Sequence, residues 1–416
     1  MTMRASNNKT MTLKQNMLWN SFGSLSFLGC QWLITVLVVR LSGGYEAAGM
    51  LSLAMSVYNI FSSIAVYRMY TYQVSDVRHE NSVGEYYAFR VITCSIALVL
   101  IICYSALTCP WEAMGAIVVY AIYRMANLLI DILHGLDQLN GRMDYIGKSL
   151  AMQGLASLVI FCAIQCCGGG LMVAFIAMTF GIVAIGFFFD LPRATAFEDL
   201  NIGISFSKTK YLLCHCLGIV VAAVALGLAP SIPRQMLSFF DGADALGIYS
   251  SVAAPITIIQ MGACYIYNPL LGYVSDAFHR RQYSSLRRLL FKAAGGILAI
   301  GVAGAAIIAF LGEPLLILMF GEGIAQYSYL MMPIIACSII TAFVWFLNDV
   351  LVSLRCFKGS FFGGLSSALL CIPLSFFFVN QFGMNGVSFA HSVSYAASAL
   401  VMLAMLLKLV RGNDRA

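Results

Sequence analysis

Charge is what this sequence has least of. Asp, Glu, Lys and Arg make up 10% of its 416 residues, where a water-soluble domain carries roughly 25%. That scarcity excludes a soluble globular protein. Also missing are a phosphate-cradling loop, a Gly-rich dinucleotide turn and a nucleophile motif. Their absence argues against energy drawn from bound ATP and assigns no catalytic residue. The 13 cysteines are odd in number and scattered through apolar runs, which argues against a disulfide framework. Cys214-His215-Cys216 has no second ligand pair at zinc spacing, and neighbours on a helix point apart, so no metal site or cofactor is assigned. Room for an outer catalytic domain is lacking too: Gly168-Gly169-Gly170, Gly312-Glu313-Pro314 and residues 380–385 read as short turns.

What is present is apolar. Hydrophobic residues make up 61% of the chain and the mean hydropathy is +0.87. The apolar runs are ~18–24 residues long, enough for helices across a hydrocarbon core of ~30 Å. The spacing predicts an all-α integral membrane protein with about twelve transmembrane helices, near 17–39, 47–67, 89–108, 114–134, 149–167, 171–189, 211–232, 247–270, 290–311, 328–351, 360–379 and 386–407. The polar start leads into a first run too long for a signal-peptide core and without a small-x-small cleavage site, so it reads as a retained span. Of the 24 Lys and Arg residues, 21 fall on alternate connections together with both termini, and only Arg40 falls on the other side. Basic residues stay on the cytoplasmic face, so both termini are expected in the cytoplasm. The +6 charge follows from that orientation and implies no nucleic-acid partner.

The chain also repeats itself. Glu46-Ala47-Ala48-Gly49 with Ser52 returns as Asp244-Ala245-Leu246-Gly247 with Ser250, and Val74-Ser75-Asp76 with His79 returns as Val274-Ser275-Asp276 with His279. The offsets, 198 and 200 residues, agree to within a short indel. Two six-helix lobes are therefore expected, 1–195 and 196–416, inserted with the same polarity and related by a parallel pseudo-twofold repeat, as in a transporter built from two halves. Segments 68–88 and 275–289 read as helices lying on the inner leaflet.

Polar residues inside the spans point to the site. Arg124, Asn127, Asp131 and His134 are spaced to form one helical stripe, and charged groups in a span usually face a cavity or a partner. Arg40 and Arg234 each precede a copy of the acidic-x-x-Gly element and are assigned to a cavity mouth; plain snorkelling to headgroups is the alternative. Arg40, Arg124, Arg234 and Asn127 are the expected substrate-binding set. Asp131 and Asp349, read as the two carboxylates inside spans, are assigned to coupling or gating, with proton or sodium as the ion; neutralising cavity arginines is the alternative. Gly295, Ala299 and Ala303 read as a helix-packing stripe.

Several segments resemble a known group. The start Lys14-Gln15-Asn16, Arg40 followed by Gly49, Ile232-Pro233-Arg234-Gln235-Met236 with Leu246-Gly247-Ile248-Tyr249-Ser250, and Asp131 with Gly135, Gln138, Gly141 and Arg142 are similar to the polysaccharide flippases of the multidrug/oligosaccharidyl-lipid/polysaccharide exporter superfamily. Gln235 departs from the pattern, where an aromatic residue is common. The resemblance implies a MATE-like fold in the bacterial cytoplasmic membrane and a non-enzymatic role. It implies alternating access around a cationic central cavity that flips an undecaprenyl-diphosphate-linked oligosaccharide from the inner to the outer leaflet. Membrane lipids and the polysaccharide-assembly machinery would be its partners. A multidrug antiporter of the same superfamily would need carboxylates for organic cations, and the interiors of spans one, two, seven and eight have none. A membrane-embedded glycan polymerase or ligase is expected to carry a sizeable outer loop.

Overall fold

A computed structural model describes residues 11–76 and 80–414; Arg4, Lys9 and His79 lie outside them. Among the described residues there are helices and no strands. In the first half these are α1 (Leu13–Ser42), α2 (Glu46–Val66), the short α3 (Met69–Ser75), α4 (Val83–Thr108), α5 (Trp111–Leu139), α6 (Met143–Cys166) and α7 (Leu171–Ile185). A π-turn, Gly186–Asp190, carries α7 into α8 (Leu191–Phe197). Then follow α9 (Phe206–Tyr267), α10 (Leu271–His279), α11 (Tyr283–Phe320), α12 (Met331–Ser353), α13 (Phe357–Phe382) and α14 (Met384–Asp414).

Local chemistry sets several ends. Thr12 with Gln15 and Ser82 with Glu85 form capping boxes, each satisfying two backbone donors left open at a helix start. The 62-residue α9 is two spans, because Gly242 at φ 85° and ψ 177° is not helical. Counting its two arms separately turns eleven sufficiently long, apolar helical runs into the twelve expected spans. Of the segments read as surface helices, the short α3 covers 69–75 and the short α10 covers 275–279, while 83–88 and 283–289 belong to the long helices α4 and α11. One expected turn is absent: α11 runs straight through Gly312-Glu313-Pro314 and stops at Gly321, φ 95°. A single proline removes one donor, and the leucine- and isoleucine-rich residues after it continue the helix.

The buried core is mostly apolar but also holds many small polar side chains, and the exterior is apolar too, unlike that of a soluble protein. Ser149, Ser157, Ser367, Ser375, Ser394 and Ser398 are fully buried, whereas Phe188, Phe310 and Leu369 lie two-thirds or more exposed. Lipid is as apolar as leucine, so helix association rests on small residues and close packing. A Cβ on Gly147 of α6 would lie 2.3 Å from the Trp19 carbonyl oxygen of α1. The stripe Gly295, Ala299, Ala303 does not do this: all three are exposed, and nothing lies within 4 Å of the place of a Gly295 Cβ. The packing expected of it is therefore not made among the described residues.

By contact the chain forms two compact units, one of residues up to Gly43 and Val57–Leu217, the other of Gly44–Ser56 and Gly218–Ala416. The repeat boundary at 195–196 divides the chain by sequence; contact divides it elsewhere because Gly44–Ser56 packs inside the second unit. The packing is reciprocal. A Cβ on Gly49 would meet the Ala243 oxygen at 1.8 Å, and one on Gly247 would meet the Tyr45 oxygen at 2.0 Å. The Ser250 hydroxyl donates to that of Ser52 at 2.6 Å. Each of these pairs is matched through the same 198-residue offset.

Candidate functional site

In the first unit, Arg124 lies mid-way along α5 with its guanidinium 5.7 Å from the centre of the Tyr58 ring. Tyr120 packs edge-on to Tyr58, ring centres 6.0 Å apart, and Tyr123 lies 6.1 Å from Tyr120. The Tyr123 hydroxyl donates to Ser157 and accepts from Gln31. Arg124 Nε is buried without a hydrogen-bond partner. Among the described residues no carboxylate lies within 4.0 Å of this side chain. One turn on, Asn127 donates to the Tyr123 carbonyl at 2.8 Å, and its Oδ1 is buried and unpaired. Arg124 and Asn127 thus set a cation and an amide about one turn apart on α5, against the Tyr58 ring and the Tyr123 carbonyl.

Asp131 is different. Its Oδ2 accepts from Arg90 at 3.2 Å, and Arg90, completely buried, also donates to the Ala65 and Val66 carbonyls at 3.0 and 2.6 Å. The sequence puts Arg90 at the edge of the run 89–108 and counts it with the basic residues of the adjoining connection. The missed signal is the Ser82–Glu85 capping box, which starts α4 two turns before Arg90. Its move into a span takes one residue from the cytoplasmic tally without changing the sign.

Two further carboxylates correct the expectation that only Asp131 and Asp349 lie inside spans. Asp190, 2% exposed, sits at the end of the π-turn. It meets His134 Nε2 at 3.3 Å and accepts from the Ser149 hydroxyl at 2.9 Å, which in turn accepts from Gln153. The turn residue expected to break the chain is instead a buried tie between three helices. Asp137, also 2% exposed, has an Oδ1 with no partner; α5 extends past the expected span end and takes Asp137 into the protein.

In the second unit, half-buried Arg234 lies 6.0 Å from the Tyr249 ring, and Tyr249 shares a hydrogen bond with Ser388. The repeat offset pairs Arg40 with Ser238, so Arg234 stands one helical turn from Arg40's equivalent. Arg40 itself is exposed in the last turn of α1. Asp349 accepts from the Tyr267 hydroxyl at 3.1 Å and from Asn348 at 3.4 Å. His391 is held by Cys337 at 3.1 Å and Thr341 at 3.3 Å. Among the described residues no three His, Cys, Asp or Glu side chains come together to hold a metal. Arg124, Asn127 and Asp131 lie on one helix in the first unit, while Arg234 and Asp349 belong to the second.

No family model matches the chain. Its sequence is 22% identical over 296 residues to the "Capsular polysaccharide biosynthesis protein CapF" of Staphylococcus aureus, covering 70% of this chain and 74% of that protein. Its fold is similar to "Lipid II flippase MurJ" in an inward closed conformation, with a TM-score of 0.70 at 11% identity over 95% of this chain and 90% of the other. It is also similar to an inward-facing multidrug resistance MATE family transporter of the MOP superfamily, TM-score 0.68 at 13% identity, over 95% and 98%. A MOP superfamily transporter from Pyrococcus furiosus, described as having a binding pocket of reversed polarity, gives 0.59 at 15% identity over 96% of both chains. The chain has the MATE-like, all-α membrane-transporter fold.

Proposed function

We propose that this protein flips a lipid-linked oligosaccharide, carried on an anionic diphosphate, from the inner to the outer leaflet for cell-surface polysaccharide assembly. The observation that carries this reading is Arg124: a cation in mid-span, ringed by tyrosines, with no carboxylate within 4.0 Å. Such a charge is costly in a membrane unless a ligand or water meets it, and its planar donors suit phosphate oxygens. Asn127 adds a polar edge for a sugar or phosphate, and Arg40 and Arg234 contribute positive charge elsewhere on the path. The similarity to a capsular polysaccharide biosynthesis protein and to a lipid II flippase supports the same substrate class. The charge distribution supports a cytoplasmic-membrane location with both termini inside.

A drug-cation antiporter is the weaker reading, because Asp131, the carboxylate beside the stripe, is already occupied by Arg90. Coupling to a proton or sodium gradient remains assigned to Asp131 and Asp349; their Asn variants should keep substrate binding and lose the response to an imposed gradient.

The test is leaflet-resolved accumulation of labelled lipid-linked oligosaccharide in cells lacking the protein and complemented with variants. Arg124→Ala should reach the membrane in normal amount and lose at least about tenfold in transport, since a charge-assisted contact of ~1.5–3 kcal/mol is removed; Arg124→Lys should fall between. Full transport by the Ala variant would reject Arg124 as a substrate ligand.

A further inference from the structure

A second cationic site lies away from the Arg124 stripe, at the ends of α1, α6 and α8. Three basic side chains converge on one ring there. The Arg142 guanidinium lies 3.9 Å from the Tyr145 ring centre, that of Arg193 lies 5.3 Å away, and Lys148 Nζ lies 6.0 Å away. Arg193 also covers Phe189 at 3.5 Å, and Lys148 stands 5.2 Å over Trp19. Among the described residues one carboxylate is in ion-pair contact with them: Asp144, buried, takes Arg142 through two bonds of 2.8 and 3.1 Å and Lys148 at 3.3 Å. Asp137 is the next carboxylate, within electrostatic reach of Arg193 but in no ion-pair contact with it, so even with both carboxylates charged the three cations keep an excess of positive charge.

Much of the hydrogen-bonding capacity is unspent. Arg193 gives one hydrogen bond, to the Phe189 carbonyl at 2.6 Å, of the five donors a guanidinium carries. Lys148 gives one of three, and its side chain is 44% exposed. No nitrogen of either is buried and unpaired, in contrast to Arg90 and Arg124. The surface on both sides is apolar and open, with Leu18 and Phe22 on α1 and Phe187 and Phe188 on the π-turn all more than half exposed.

Repetition of the fold does not demand this cluster. Gly141 and Arg355 occupy the same left-handed turn before α6 and α13. Counted from them, Arg142 corresponds to Cys356, Asp144 to Lys358, Tyr145 to Gly359 and Lys148 to Phe362. The second half keeps the turn and has none of the cation–ring geometry.

We propose that Arg193, Lys148 and the outer face of Arg142 form a binding site for a phosphate anion, and that the anion is the headgroup of an anionic phospholipid whose acyl chains lie along the flanking apolar surface. Aromatic rings with basic side chains belong to the headgroup layer, and basic pockets between membrane helices select anionic headgroups. The helix ends concerned are those that the distribution of basic residues assigns to the cytoplasm. The site does not depend on what the protein transports, so it stands or falls separately from the flippase reading.

The experiment is native mass spectrometry of the full-length protein in detergent, titrated with phosphatidylglycerol or phosphatidylcholine. The wild type should retain phosphatidylglycerol in preference. The double variant K148Q/R193Q, which leaves the Arg142–Asp144 pair intact, should lose about tenfold or more of that preference, at an effect of order one decade for two headgroup charges. The charge-keeping double variant K148R/R193K should retain it, which separates lost charge from lost folding. Inorganic phosphate at equal concentration should not compete. Competition by phosphate would keep the anion site and reject the lipid as its occupant. Equal retention of the two lipids by the wild type, or an unchanged preference in K148Q/R193Q, would overturn the proposal.

Discussion

The two halves share a plan and differ in what they bury. The first ties its helices through charged groups: buried Arg90 pairs with Asp131, whose side chain is 34% exposed, and His134 meets the buried Asp190 at 3.3 Å. In the second, Tyr267 donates to Asp349, Tyr249 bonds Ser388, and His391 rests on Cys337 and Thr341. At the 200-residue offset Arg90 is replaced by Leu290. Asp131 stands ten residues before the left-handed Gly141, whereas Asp349 stands six before Arg355, so the second carboxylate is about one turn nearer its helix end. The halves thus share repeated elements and carry different charged residues within their spans. The first half should be the more sensitive to the loss of a charge.

Copying the second half into the first should break it. Arg90→Leu leaves Asp131 without this partner and the Val66 carbonyl without this donor, while Ala65 keeps the Thr93 hydroxyl; with the Asp131 side chain 34% exposed, the cost should be about 2–3 kcal/mol, below that of a fully buried pair. Thermal unfolding in detergent should show a large loss, mostly recovered when Asp131→Asn is added. Equal stability of the single and double variants would mean the pair is not coupled. The matching change in the second half, Tyr267→Phe, removes one hydrogen bond to a carboxylate and should cost about 1–2 kcal/mol. If it proves as damaging as Arg90→Leu, the contrast between the halves is wrong. Smallest of all should be Asp137→Asn. Its carboxylate has an oxygen with no partner, so removing the charge should leave stability within ~1 kcal/mol of the wild type or raise it, since no buried pair is broken. A loss of several kcal/mol would reveal a partner for Asp137 in the membrane.

Much of this was legible beforehand, because membrane helices announce themselves by length and repeats by spacing. The twelve spans, the doubled elements and the stripe of Arg124, Asn127 and Asp131 all follow from position along the chain. What stayed hidden depends on helix ends. Asp137 and Asp190 fall outside the spans read from the sequence and Arg90 at the edge of one, because polar residues mark the ends of apolar runs. A capping box, an extended α5 and a π-turn carried all three inward, where burial changed their meaning from solvated to structural. The mistaken turn at Pro314 has the same origin, a local signal outvoted by the apolar residues around it. Partners across helices, such as Arg90 for Asp131 and Tyr267 for Asp349, leave no trace in spacing within one helix.

The crossing at Gly49 and Gly247 says something about ancestry. Ser52 meets Ser250, its own counterpart, and the close approach of Gly49 to Ala243 is mirrored by that of Gly247 to Tyr45. Contacts in which each residue meets its own image are those of an isologous homodimer. A single-repeat forebear could have formed this crossing with a second copy of itself, before any fusion joined the two. In a single chain that carries both copies, a substitution in one need not be tolerated in the other, so the halves are free to differ as Arg90 and Leu290 do.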